Sequence, residues 1–225
     1  MGREHPIRLA DFRWGFLLVA VSWALGLWLF TRAPEQVPVH WNAAGEVDRY
    51  GSRFEGTLVL PAVATGLVLL LAFLPRLDPR EENYGRFRTP YIALTYLILG
   101  FLLLVQIFTA AEIAGRADLL PFELTRLLTA ALGLLFVGIG ILLPRLEPNW
   151  FAGIRTPWTL EDDRVWMENH AFAGRVFVGL GVLTVLLALA LPVSWGFWIV
   201  VASVLGATVV VVLHGYLVYR RLHDS

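Results

Sequence analysis

Uncharged apolar blocks recur along this sequence, and their length restricts what it can fold into more than any motif does. Residues 14–31, 56–75, 89–111 and 127–144 carry no charge. Each is about long enough to cross a hydrocarbon layer roughly 30 Å thick as an α-helix. A fifth block, 176–213, holds two crossings, because Leu191-Pro192-Val193-Ser194-Trp195-Gly196 interrupts it. Proline removes a backbone donor there, and tryptophan suits the membrane interface. The chain therefore reads as all-α, a polytopic transmembrane bundle of six spans. Its 57% hydrophobic content and mean hydropathy of +0.66 exclude an ordinary soluble domain. The first block is too long for a signal peptide and lacks a small-residue cleavage site, so it reads as a retained span.

Arginine supplies every basic side chain, since the sequence has no lysine. Arg3, Arg8 and Arg13 precede span 1. Arg76, Arg80, Arg86 and Arg88 lie between spans 2 and 3, Arg145, Arg155, Arg164 and Arg175 between spans 4 and 5, and Arg220 and Arg221 near the end. Arg32, Arg49, Arg53, Arg116 and Arg126 fall on the opposite side. The positive-inside rule then places both termini in the cytoplasm, N-in and C-in, for a multi-pass membrane protein. With no cysteine, disulfides, thiolate metal sites and cysteine nucleophiles are excluded. A formal net charge of zero removes the electrostatic case for direct nucleic-acid binding.

Two connections resemble one another. Leu74-Pro75-Arg76-Leu77-Asp78-Pro79 followed by Asn83-Tyr84 and Arg88-Thr89-Pro90-Tyr91 parallels Leu143-Pro144-Arg145-Leu146-Glu147-Pro148 followed by Asn149-Trp150 and Arg155-Thr156-Pro157-Trp158. One reading is a parallel internal repeat of spans 2–3 and 4–5. The other is a shared re-entry signal, with arginine at the headgroups, proline in the first helical turn and an aromatic at the interface. The chain divides into 1–115, with spans 1–3 and an outer His-Trp-Asn loop, and 116–225, with spans 4–6 and an inner Arg-Thr-Pro-Trp loop.

These two loops hold the candidate functional residues. The outer one, 37–50, reads as a small hairpin or a turn-rich loop, with Asn42 and Gly45 supplying turn chemistry. His40, Trp41, Asn42 and Asp48 are its candidate ligand-binding residues. In the inner loop the candidates are Asn149, Trp150, Arg155, Thr156, Trp158, Glu161, Asp162, Asp163, Trp166 and His170. Thr159 is expected to cap a helix with Asp162 at the capping-box position, running through Val165, Trp166 and His170 into span 5. The Arg155 guanidinium is expected to join Asp162 or Asp163 to backbone carbonyls as a planar fork. No catalytic residue, metal ligand or cofactor is assigned.

Pro38-Val39-His40-Trp41-Asn42 with Gly45-Glu46-Val47-Asp48-Arg49-Tyr50 resembles the domain of unknown function that often forms the N-terminal half of SdpI-like proteins. Asn149-Trp150-Phe151, Gly153-Ile154-Arg155-Thr156-Pro157-Trp158-Thr159-Leu160, Val165-Trp166 and Gly174 resemble the signature of the SdpI half itself. The resemblance spans nearly the whole chain. It implies a membrane immunity and signalling protein, set among lipids, that gives resistance to a secreted antimicrobial peptide toxin and holds a small DNA-binding repressor at the cytoplasmic face. The alternative from the residues is a membrane enzyme using the 161–163 acids on a lipid-linked or phosphate-bearing substrate. Transport ranks lower, because the spans carry almost no ionisable group near mid-membrane.

Overall fold

A computed structural model describes residues 7–224. Six helices are long and apolar enough to cross a membrane, at Leu9–Phe30, Arg53–Leu77, Glu81–Ile113, Leu124–Arg145, Asp163–Ala190 and Val193–His223. Within them the α-helices proper are α1 Arg13–Phe30, α2 Arg53–Phe73, α3 Tyr84–Ile113, α4 Leu124–Leu142, α6 Asp163–Ala190 and α7 Gly196–His223, and a short α5, Pro157–Glu161, precedes α6. The outer loop is a hairpin, β1 Gln36–Trp41 with β2 Val47–Ser52, antiparallel from Gln36 opposite Ser52 to Trp41 opposite Val47. It is the only sheet among the described residues.

Lipid offers apolar surface everywhere, so these helices associate through close backbone approach and buried polar pairs rather than through hydrophobic contrast. α4 packs on α6 through glycines. A Cβ added to Gly133 would stand 2.8 Å from the Gly181 carbonyl, and one on Gly140 2.7 Å from that of Gly174. Buried and half-buried side chains link other pairs: Trp23 Nε1 donates to Thr65 Oγ1 at 2.9 Å between α1 and α2, Ser22 bonds Gln106 between α1 and α3, and Thr184 and Ser203 meet at 2.8 Å between α6 and α7.

Local chemistry sets the ends. Ser52 caps α2 by accepting from the Glu55 amide at 3.2 Å. Both α2 and α4 tighten into a 3-10 turn at Leu-Pro-Arg, Leu74–Leu77 and Leu143–Arg145, so the two resembling connections start alike. They then diverge: Pro90 lies inside α3, whereas Pro157 opens the separate α5. At the start of α4, Arg126 pairs with Glu123 at 3.2 Å and donates to the Ala188 and Leu191 carbonyls at 2.7 and 3.2 Å, sealing the end of α6, where carbonyls lack helical partners.

The connections gather at two ends. At one, the hairpin tip reaches the start of α4 and the α6–α7 turn, since a Cβ on Gly45 would meet Thr125 Oγ1 at 2.9 Å and Val193 Cγ1 at 3.2 Å. At the other, Arg88 pairs with Asp11, Asp78 meets the 146–156 loop, and Tyr219 meets Glu161. Most arginines belong to this second end; Arg3 lies outside the described residues. Reporters fused after Arg86 or Arg164 are accordingly expected to read as cytoplasmic and one fused after Arg49 as external. Reversed signals overturn the orientation.

Candidate functional site

The inner loop is organised around a buried carboxylate. Asp78, 4% exposed, accepts from the Tyr84 hydroxyl and the Trp150 amide, both at 2.9 Å on Oδ2, and from the Arg80 amide at 2.8 Å on Oδ1. Asn83 Nδ2 adds a bond to the Pro148 carbonyl at 2.8 Å. The α2–α3 and α4–α6 connections are thus one polar unit. Beside it, fully buried Asn149 folds the loop onto itself. Its Oδ1 accepts from the Phe151 and Ala152 amides at 2.9 and 2.7 Å, and its Nδ2 donates to the Glu147 and Ala152 carbonyls at 2.9 Å. A buried turn must satisfy its backbone in this way, because no strand or helix does it for residues 147–152.

Trp166 forms the floor. It is fully buried, donates from Nε1 to the Leu146 carbonyl at 2.8 Å, and stacks on His170 with ring centres 4.0 Å apart. His170 Nδ1 bonds the Trp166 carbonyl at 2.9 Å, while Nε2 accepts from the Ile154 amide at 3.0 Å. An accepting Nε2 requires the neutral ring with its proton on Nδ1. Gly153 lets the loop approach this closely: its φ is +109°, and a Cβ there would stand 2.5 Å from His170 Nε2.

Three expectations are corrected here. The N-cap is Thr156, not Thr159: Thr156 Oγ1 accepts from the Thr159 amide, Thr159 Oγ1 accepts from the Thr156 amide at 2.9 Å, and Pro157 takes the first helical position. The helix is also not continuous into span 5. It breaks at Asp162, which caps α6 by accepting from the Arg164 amide at 2.8 Å. Finally, Arg155 reaches neither Asp162 nor Asp163; its Nη1 donates to the Trp150 carbonyl at 2.8 Å.

The acids are taken by other partners. Glu161 accepts from Tyr219 Oη at 3.0 Å, Asp162 pairs with Arg164 at 2.7 Å, and Asp163 pairs with Arg80 at 2.6 Å. Among the described residues, no three histidines or carboxylates are grouped to hold a metal ion. The Arg164 guanidinium holds the Asp162 carboxyl down at about 2, against an ordinary 3.8. Because the folded value is depressed, the stabilisation from this cap is fully present above about pH 4 and is lost only as pH falls toward 2. One carbonyl contact is within reach of lysine, so Arg155→Lys is expected to change stability by less than about 1 kcal/mol. Thermal unfolding in detergent checks this, and a large loss contradicts it.

Trp158 packs edge-on against Tyr216 at 5.6 Å, and Asn169 Oδ1 meets His214 Nδ1 at 3.0 Å. Gly215 makes room for both, since a Cβ there would lie 2.7 Å from Trp158 Nε1 and 3.0 Å from Asn169 Nδ2. Of the inner candidates, Asn149, Trp166 and His170 are therefore buried framework, Thr156 and Trp158 are partly covered, and Trp150, Arg155, Glu161 and Asp163 face outward. Asp78, Tyr84, Arg80, Asn169 and His214 were not among the candidates. The paired Leu-Pro-Arg-Leu-acid-Pro stretches were the available signal for Asp78.

At the opposite end the hairpin holds its four candidates in order. Asn42 Oδ1 accepts from the Ala44 and Glu46 amides at 2.9 and 3.0 Å, closing the turn, with Gly45 at φ +85°. His40 Nδ1 meets Asp48 Oδ1 at 2.6 Å. Residues His40, Trp41 and Asn42 overhang a groove of about 400 Å³ whose apolar walls include Phe101, Leu128, Leu132 and Phe197. Asp48 does not line the groove; it orients His40.

Residues 145–215 match the SdpI/YfhL protein family, and residues 17–65 match the domain of unknown function DUF1648. The immunity protein SdpI of Bacillus subtilis (strain 168) is 22% identical over 209 residues, covering 93% of this chain and 96% of that protein. An uncharacterised protein of Archaeoglobus fulgidus is 40% identical over 68 residues, 29% of this chain and 37% of its own length. No solved structure matches.

Proposed function

We propose that this member of the SdpI/YfhL family is an immunity and sensing protein of the bacterial cytoplasmic membrane that protects the cell against a membrane-active peptide. The observation that carries the reading is the match to an immunity protein along nearly the full length of both chains. The two ends of the bundle divide the work. The hairpin end receives the peptide: an apolar residue of the peptide enters the groove beneath His40-Trp41-Asn42, with Trp41 as anchor because indole combines a large contact area with a donor suited to the interface. His40, aligned by Asp48, and Asn42 orient it.

The loop end reports to the cytoplasm. Exposed Trp150 and Arg155, with Glu161 and Asp163, form the surface offered to a small DNA-binding repressor, and the buried Asp78–Asn149–Trp166 framework holds that surface in shape. Peptide binding by Trp41→Ala, compared with a variant carrying amides at 161, 162 and 163, tests this division. Trp41→Ala is expected to bind about 30-fold more weakly, the loss of a roughly 2 kcal/mol anchor, while the amide variant binds normally. Unchanged peptide binding in Trp41→Ala contradicts the receptor role.

A further inference from the structure

The ends of α1 and α3 stand side by side at the hairpin end and leave a cleft of about 700 Å³ between them. Its walls include Trp28, Leu29, Ile113 and Leu119, continuous with the apolar spans. Its charge is of one sign. Arg32 and Arg116 line it, and no carboxylate does, although Glu35 and Asp118 are near in sequence. Arg32 is oriented by neutral groups only: Nη1 donates to the Trp28 carbonyl and to Thr31 Oγ1, both at 3.2 Å, and the guanidinium stands 4.8 Å from the centre of the Trp28 ring. Arg116 is exposed, carried past the end of α3 by Gly115 at φ +66°, and among the described residues its side chain makes no hydrogen bond or ion pair. The guanidinium of nearby Arg53 likewise meets, among the described residues, only the Pro34 carbonyl and the Phe30 ring. Other cations of this end are compensated, Arg49 by Glu55 at 2.7 Å and Arg126 by Glu123.

Guanidinium forks match phosphate oxygens, and the boundary between span and water is where a lipid headgroup lies above its acyl chains. We propose that this cleft is a binding site for an anionic phospholipid, with Arg32 and Arg116 on the headgroup phosphate and an acyl chain along the exposed Trp28 and Leu119. A free phosphate would leave the apolar walls unused. A zwitterionic lipid would bring a cation of its own toward uncompensated arginines. The inference is independent of the immunity reading and of which leaflet the hairpin end faces.

The test uses the full-length protein, purified in detergent, with binding of phosphatidylglycerol and phosphatidylcholine measured separately by native mass spectrometry. Phosphatidylglycerol is expected to bind at least about tenfold more tightly than phosphatidylcholine, and Arg32→Gln with Arg116→Gln is expected to abolish that preference. Excess inorganic phosphate is expected not to displace the lipid. Arg116→Gln alone breaks no internal contact, so it folds as the parent does and is expected to lose severalfold in preference. Equal binding of the two lipids, an unchanged preference in Arg116→Gln, or displacement by inorganic phosphate alone overturns the proposal.

Discussion

Trp166→Ala is expected to destabilise the folded protein by about 3–5 kcal/mol, the range for truncating a buried large aromatic. The indole is fully buried, carries the His170 stack, and supplies the donor for the Leu146 carbonyl. Its removal leaves a void beneath the 146–156 loop and a buried acceptor without its bond. Trp166→Phe separates these contributions, since it keeps most of the packing and loses only the Nε1 donor, at about 1–3 kcal/mol. Equilibrium unfolding in mixed micelles measures both. Equal, small losses for the two variants would mean that the loop does not rest on this floor.

Asp78→Asn is nearly isosteric and is still expected to cost about 2–4 kcal/mol, because hydrogen bonds to a charged group are worth about 1.5–3 kcal/mol each and more than one is affected. In the native arrangement both carboxylate oxygens only accept, from Tyr84, Trp150 and Arg80. An amide can keep the Arg80 bond through its oxygen, but its NH₂ then faces the Trp150 N–H, donor against donor. The variant is expected to insert normally and to loosen residues 148–156 selectively, read as faster amide exchange there than in the α4–α6 interface. Uniform exchange across the protein, as in the parent, contradicts the assignment of Asp78 as the clasp between the two connections.

The membrane spans were legible because uncharged length is a direct requirement of the hydrocarbon layer, and the α6–α7 break was marked by Pro192. Asn42 and Gly45 marked the turn of the outer loop, and the β1–β2 pairing decides for a hairpin over a turn-rich loop. The cap was harder. Thr156 and Thr159 are both capping residues, and Pro157 directly after Thr156 was the discriminating cue. Arg155 had several carboxylates within eight residues, and local spacing cannot tell that Tyr219, Arg164 and Arg80 claim them, two of these from segments far along the chain. Asp78 drew no assignment, because only tertiary structure buries it beneath Trp150. Burial of this kind depends on partners far along the chain, whereas helix length and turn type depend on neighbours.

The most direct measurement is survival of peptide-sensitive cells, lacking immunity of their own, that express this protein, Trp41→Ala or empty vector at matched membrane levels during challenge with the toxin peptide of the SdpI system. The account predicts that the parent protein restores growth, that Trp41→Ala gives up most of that protection while remaining folded in the membrane, and that vector cells die. Cells expressing the folded parent protein that die as vector cells do would contradict the proposed immunity function.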